Sequence, residues 1–237
     1  MSFLMKKHIP NTITCLNLIS GCIACVMAFN HNYLWAFIFI ITASVFDFFD
    51  GFAARLLKAY SDIGKELDSL ADMVSFGVAP GMIIFVFLQH TILINYSPDS
   101  LLVYIAYIAF LIPAFSALRL AKFNVDDRQS SSFIGLPTPA DALFWGALIY
   151  QLSQLEKIAP LYLLIFVIIC VLMFSCLMIS EIPMFSLKFK NYGWKGNGAR
   201  YILLLIAIFS LAFLGISGIS ITIVIYILMS LFTSRSM

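Results

Sequence analysis

The sequence predicts an all-α fold, a polytopic membrane helical bundle of about eight transmembrane helices with both termini cytoplasmic. Three observations carry this. Hydrophobic residues make up 62% of the 237 residues and charged residues only 11%, against roughly 25% charged in an ordinary soluble domain. The apolar residues fall into eight runs separated by short polar turns. The basic residues fall almost entirely on one side of those runs. So much Phe, Ile and Leu cannot be hidden in one water-soluble core, so lipid must solvate much of the surface.

Hydropathy and turn signals place the spans at 11–29, 33–57, 66–90, 99–121, 138–153, 158–180, 198–214 and 217–233. The first follows Lys6-Lys7-His8 and resembles a signal peptide at its start. Its apolar run, however, continues from Ile13 to Phe29 and ends at Asn30-His31-Asn32 without a small-residue cleavage site, so it reads as an uncleaved helix. The second and third carry acidic residues and must face protein or water there. The fifth is short. The sixth and seventh are clear, and the eighth runs close to the C-terminus. No loop is long enough for a second domain, so the expectation is one domain over 1–237. No internal repeat is visible.

Orientation follows from Lys and Arg. With the N-terminus in the cytoplasm, the inner side receives thirteen: Lys6, Lys7, Arg55, Lys58, Lys65, Arg119, Lys122, Arg128, Lys188, Lys190, Lys195, Arg200 and Arg235. The outer side receives only Lys157. A wrong span count would scatter these residues. Net charge is +2, and no nucleic-acid partner is expected. The five cysteines lie in apolar runs; Cys22 and Cys25 form a C-x-x-C with no second ligand pair, which reads as buried apolar cysteine rather than a zinc or redox site.

The chemistry is concentrated in Asp47–Asp72, DFFDGFAARLLKAYSDIGKELDSLAD. On a helix, Asp47, Asp50, Gly51 and Ala54 share one face. That face offers two carboxylates and then two positions with almost no side chain, where a ligand can approach the backbone. After a turn at Tyr60-Ser61-Asp62, Gly64, Asp68, Asp72 and Ser75 share another face. The two helices are expected to pack as antiparallel neighbours and bring four aspartates together. Four carboxylates in one place need protons or cations. Oxygen-only ligands suit magnesium, manganese or calcium, and two hard cations side by side recur in phosphoryl displacement. Arg55, Lys58 and Lys65 lie beside them and suit a phosphate-bearing ligand. Asp62 and Glu66 read as solvated charges.

This pattern, D-x2-D-G-x2-A-R-x8-G-x3-D-x3-D, resembles the signature of the CDP-alcohol phosphotransferase family at every fixed position. Further segments resemble its serine-using branch, the bacterial phosphatidylserine synthases: Pro10-Asn11 with Thr14, Asn17 and Gly21; Ser75-Phe-Gly-Val-Ala-Pro80; Arg119-Leu-Ala-Lys-Phe-Asn124; Gly135-Leu-Pro-Thr-Pro139; and Leu177-Met-Ile-Ser-x-Ile-Pro183. The resemblance covers about 10–190 and leaves 198–233 as generic membrane helices. It implies that L-serine's hydroxyl attacks the lipid-side phosphate of CDP-diacylglycerol and CMP leaves. It implies that Asp47, Asp50, Asp68 and Asp72 hold two divalent cations, Mg²⁺ or Mn²⁺, with Asp72 also the catalytic base. Thr14, Asn17, Asp50, Gly51, Ala54, Arg55, Lys58 and Gly64 are then the expected contacts of CDP-diacylglycerol. Family members are often homodimers, and that expectation extends here. A water-soluble CMP head and a diacyl tail place the site at the cytoplasmic boundary of the cell inner membrane.

Arg119, Lys122 and Asn124 are candidates for serine's carboxylate, although Arg119 and Lys122 also fit simple positive-inside anchors. Asp141, early in the short fifth span, is unusual and suits a supporting role. The same chemistry with glycerol 3-phosphate, inositol phosphate or choline as acceptor stays open. An aspartate-lined cation transporter would explain the carboxylates, but not the Gly, Ala and Arg between them. An intramembrane aspartyl protease would usually carry G-x-G-D, which is missing.

Overall fold

The computed structural model describes residues 3–96, 100–126, 133–155, 158–185, 193–194 and 197–234. Nearly all of them are helical: α1 (Phe3–Phe29), α2 (Tyr33–Leu57), α3 (Asp62–Asp72), α4 (Ala79–Asn95), α5 (Leu111–Val125), α6 (Thr138–Ser153), α7 (Pro160–Ile179), α8 (Gly198–Leu214) and α9 (Ser217–Ser234). A π-helical segment, Met73–Val78, joins α3 to α4, and a 3-10 segment, Leu101–Phe110, leads into α5. The result is eight continuous helices among the described residues, as expected. In lipid this is forced, because a helix satisfies its backbone polar groups internally. Five are long and apolar enough to cross a membrane: His8–Phe29, Tyr33–Leu57, Asp62–Asn95, Leu101–Val125 and Pro160–Ile179. The last two are apolar but shorter. Several of the basic residues behind the predicted orientation, Arg128, Lys157, Lys188, Lys190, Lys195 and Arg235, lie outside the described residues.

α1 and α2 form the most extensive helix pair. α1 buries Ala24 and Ala28, and α2 buries Ala36, Ile40 and Ala43. Small side chains let the backbones approach closely, the usual way helices associate without a hydrophobic drive from water. Their turn uses His31 in the left-handed region (φ 56) and Asn32 as N-cap, its side chain accepting from Trp35 N–H. α1 begins at Phe3 rather than near residue 11 and contains Pro10. The five cysteines are free, and Cys15, Cys22 and Cys176 face outward rather than into the core.

At the other end of α2, Lys58 takes a left-handed cap (φ 49), its N–H reaching the carbonyls of Ala54 and Arg55. Ser61 then caps α3 by accepting from Gly64 N–H at 3.0 Å. The expected side-by-side packing of α2 and α3 is replaced by a different arrangement. α1 packs against both, whereas α2 and α3 make at most isolated backbone approaches. The space this leaves is where the aspartates point.

α1 is keyed to the π segment. Ser75 Oγ donates to Asn17 O at 3.0 Å. A β-carbon on Gly21 would lie 2.7 Å from Ser75 Cα, so only a hydrogen fits there. At the same end of the bundle, Phe133–Ile134 pairs antiparallel with Pro183–Met184. Gly135, at φ +74, donates to Ile182 O at 2.9 Å, and Leu136 N–H reaches Leu177 O. This clasp fixes the start of α6 against the end of α7. α9 is tied on by Ser220 to Phe144 O and by Tyr226 to Phe185 O. α8 buries only Leu203.

Overpacking a tight contact typically costs about 1–3 kcal/mol. Gly21→Val should therefore lower the unfolding temperature in detergent by several degrees. Gly51→Ala should leave it unchanged, because a β-carbon there meets nothing nearer than the Arg55 guanidinium at 3.7 Å. Equal thermal scans for the two variants would mean that α1 and the π segment are not in close contact.

Candidate active site

α2 delivers Asp47 and Asp50 one helical turn apart, and α3 delivers Asp68 into the gap between the helices. One carboxylate oxygen from each lies within 4.8 Å of the others. Asp72, one turn beyond Asp68, interacts electrostatically with all three. The four expected aspartates thus converge, three as a tight group and the fourth beside it.

Two polar side chains of α1 hold this group. Thr14 Oγ1 donates to Asp50 Oδ2 at 2.6 Å, and Asn17 Nδ2 donates to Asp72 Oδ1 at 3.1 Å. Thr14 and Asn17 are three residues apart, so they share the α1 face that looks onto α2 and α3. Both are expected contacts of the lipid nucleotide; the structure shows them hydrogen-bonded to the carboxylates, with Thr14 also in the lining of the adjacent cavity, and their i, i+3 spacing is the signal for a shared face.

The residues fit a divalent cation. The donors are hard oxygens only, Asp50 is buried with Asp47 and Asp68 half-buried, and Asp68 Oδ1 is buried without a hydrogen-bond partner among the described residues. Carboxylates this close and partly withdrawn from water need their charge compensated.

Beside the group opens a cavity of about 220 Å³, lined by Pro10, Asn11 and Thr14 of α1, Asp50, Gly51 and Ala54 of α2, and Gly64, Lys65 and Asp68 of α3, with Ala59, Tyr60 and Ser61 at its edge. Gly51 and Ala54 leave its wall free of side chain. Gly64 is close to the limit, since a β-carbon would sit 3.0 Å from Ser61 Oγ and 3.1 Å from Asn11 Oδ1. Arg55 lies along the face beside Gly51. Lys58 caps the helix and is exposed, whereas Lys65 reaches the cavity. Tyr60 and Ser61, read only as a turn, are part of the lining.

The three candidates for an acceptor carboxylate separate. Arg119 is buried, its Nε has no hydrogen-bond partner among the described residues, and it interacts electrostatically with Asp72. Lys122 lies near it in a second cleft, 4.0 Å from Glu181. Asn124 does not join them: its Nδ2 donates to Ser69 Oγ at 2.8 Å and its carbonyl accepts from Lys65 Nζ at 3.2 Å, tying α5 to α3. Asp141 is fully buried beside the indole of Trp145, with neither oxygen in a well-formed hydrogen bond.

A membrane bundle that gathers four aspartates beside a cavity walled in part by glycine and alanine can hold hard cations and let a ligand approach its backbone closely. Residues 7–175 match the CDP-alcohol phosphatidyltransferase family, and the chain belongs to that family. It is therefore a transferase. It is 41% identical over 134 residues to the CDP-diacylglycerol–serine O-phosphatidyltransferase of Bacillus subtilis (strain 168), covering 56% of this chain and 70% of that protein. It is 38% identical over 135 residues to the enzyme of the same name from Methanocaldococcus jannaschii, covering 57% of each. It is 33% identical over 136 residues to that from Helicobacter pylori (strain J99), covering 56% of this chain and 54% of the relative. The matched region thus spans little more than half of the last two relatives.

Removing the methyl-flanked hydroxyl of Thr14 tests the clamp on Asp50. A hydrogen bond to a charged group is worth about 1.5–3 kcal/mol. Thr14→Val should therefore cut kcat/KM at least tenfold, whereas Thr14→Ser, which keeps the hydroxyl, should stay near the parent. Unchanged kinetics would show that the clamp does not matter to the site.

Proposed function

We propose that this chain transfers the phosphatidyl group of CDP-diacylglycerol to the hydroxyl of L-serine, releasing CMP and leaving phosphatidylserine. The observation that carries this reading is the convergence of Asp47, Asp50 and Asp68 beside a cavity that Asp50 and Asp68 line together with Gly51, Ala54 and Gly64. The names of the relatives supply the acceptor.

The nucleotide and diphosphate lie along the open face of α2, against Gly51 and Ala54, with Arg55 and Lys65 meeting phosphate oxygens. Lys58 and Gly64 complete this end of the lipid-nucleotide site, and Thr14 and Asn17 support it through Asp50 and Asp72. Asp47, Asp50, Asp68 and Asp72 would hold two divalent cations, Mg²⁺ or Mn²⁺, which when bound neutralise the diphosphate and the developing charge. The serine oxygen forms a new bond to the β-phosphorus, and the bond from that phosphorus to the CMP oxygen breaks. Asp72 takes the hydroxyl proton. The Asn17 amide on Oδ1 holds that carboxyl in one orientation for the transfer. Arg119, beside Asp72, and Lys122 receive the acceptor's carboxylate, and Asn124 steadies α5 against α3.

The chain is a multi-pass membrane protein. The reading places the site on the cytoplasmic side of the cell inner membrane, where a soluble head and a lipid tail can both be accommodated. The described basic residues Arg55, Lys58, Lys65, Arg119 and Lys122 belong to this end, and the His31–His90 ring pair marks the other. The whole of 1–237 is taken as one catalytic unit, working as a homodimer.

The direct test supplies purified protein with CDP-diacylglycerol, Mn²⁺ or Mg²⁺, and each candidate alcohol. L-serine should be the preferred acceptor and CMP the released product, with excess chelator abolishing turnover. Glycerol 3-phosphate outcompeting serine would overturn the acceptor, and full activity in chelator would remove the cations. Asp72→Asn should retain lipid-nucleotide binding and lose about 10²–10⁴-fold in kcat, the usual cost of a general base. Near-normal turnover would take that role away from Asp72. Gly51→Leu and Ala54→Leu should fold yet bind CDP-diacylglycerol poorly; unchanged affinity in both would exclude that face as the nucleotide site.

A further inference from the structure

A second cleft lies beside Arg119, between the end of α5 and the end of α7. Its lining combines two cations, Arg119 and Lys122, with two carboxylates, Asp126 and Glu181, beside Met178 and Ser180. It shares no lining residue with the cavity between α1, α2 and α3. Arg119 links this cleft to the aspartate group, lining the cleft while interacting electrostatically with Asp72. Arg119 is 93% buried, and its Nε makes no hydrogen bond among the described residues. A buried guanidinium donor without an acceptor is costly, and an anionic ligand group would remove that cost.

This charge pattern matches one class of acceptor. A phosphate-bearing alcohol would bring two negative charges against Asp126 and Glu181. Choline would bring a cation against Arg119 and Lys122 with nothing for them to hold. An α-amino acid brings one charge of each sign, a few ångströms apart.

The cleft is narrow as it stands. About 10 Å³ is free to the centre of a water molecule, room for roughly one water. Lys122 Nζ, which also donates to Ile179 O at 3.4 Å, reaches Glu181 Oε1 at 4.0 Å across the cleft, between side chains 55% and 66% exposed. Exposed pairs of this kind are weak. An incoming zwitterion can therefore part Lys122 from Glu181, its carboxylate and ammonium meeting the two charges.

We propose that Glu181 takes the ammonium of the amino-acid acceptor in this cleft, while Lys122 and Arg119 take its carboxylate. The inference rests on the serine reading above and adds to it the group that selects for an amine. Asp126 supplies a second negative charge on the same lining. Seated here, the acceptor lies on the Arg119 side of Asp72, the residue proposed to receive its proton.

The test compares the full-length enzyme with Glu181→Gln and Glu181→Asp. It measures KM for L-serine and for CDP-diacylglycerol, and inhibition constants for ethanolamine, which lacks the carboxylate, and 3-hydroxypropionate, which lacks the ammonium. Glu181→Gln should raise KM for L-serine by about tenfold or more, as expected for a lost charge-assisted contact. It should weaken ethanolamine in parallel and leave both CDP-diacylglycerol and 3-hydroxypropionate within about twofold, since those contacts are untouched. Glu181→Asp should recover part of the loss. An unchanged KM for L-serine overturns the proposal, as does an equal loss for 3-hydroxypropionate, which would mean a structural role. A parent enzyme that makes no phosphatidylserine overturns the serine reading and this inference together, whereas a parent that makes it isolates the role of Glu181.

Discussion

Four carboxylates held together within a membrane bundle set the terms for everything around them. With oxygens of Asp47, Asp50 and Asp68 within 4.8 Å of one another, each pair of these groups, when ionised, repels by roughly 3–4 kcal/mol or more at an effective dielectric of about 20. Withdrawal from water adds to that cost. Such a group persists only if its surroundings supply donors and countercharge and cannot relax away. α1 does this here. Its Thr14 and Asn17 each donate to one carboxylate, and its Gly21 and the Asn17 carbonyl lock it to Ser75 just beyond Asp72. The small residues along α1 and α2 permit the close approach that this grip needs. Of the three helices around the site, the one carrying no acidic residue is thus the one that organises it.

The two openings are walled differently. The cavity between α1, α2 and α3 has backbone and small side chains at Gly51, Ala54 and Gly64, with Asp50, Lys65 and Asp68 also in its lining. The cleft at the ends of α5 and α7 is bounded by charged side chains of both signs. The short clasp of 133–134 with 183–184, together with Gly135 beneath Met178 and Ser180, keeps the α7 end of that cleft in place. Arg119 lines the cleft and interacts electrostatically with Asp72 of the aspartate group.

Much of this was readable from the amino acids. The eight apolar runs, the one-faced spacing of Asp47, Asp50, Gly51 and Ala54, and the matching face of Gly64, Asp68 and Asp72 all depend on local periodicity, which a sequence records directly. The packing of α2 on α3 was not readable, because the aspartates that bring the helices to one place also keep their backbones apart. The partners of Thr14 and Asn17 depend on how α1 is rotated, and that is set by the contact of Gly21 with Ser75, 54 positions away. Asn124 looked equivalent to Arg119 by proximity in sequence, yet five residues of helix turn it toward Ser69 and away from the cleft. Tyr60 and Ser61 gave only a turn signal, and nothing local shows that a turn also closes a cavity.

The π segment Met73–Val78 means that this stretch holds more residues per turn than an α-helix would. The aspartates of α3 lie on one side of it and the buried body of α4 on the other. An α-helix advances about 100° per residue, whereas a turn closed by i→i+5 bonds advances only about 80°. Six residues at the smaller angle therefore turn the chain through about as much as five at the larger. The π segment thus takes in one extra residue between Asp72 and Ala79 while α3 and α4 keep the facing that an unbroken α-helix would give them. The helix is widened where α1 seats Gly21 against Ser75, and Asp72 keeps the orientation in which Asn17 meets it.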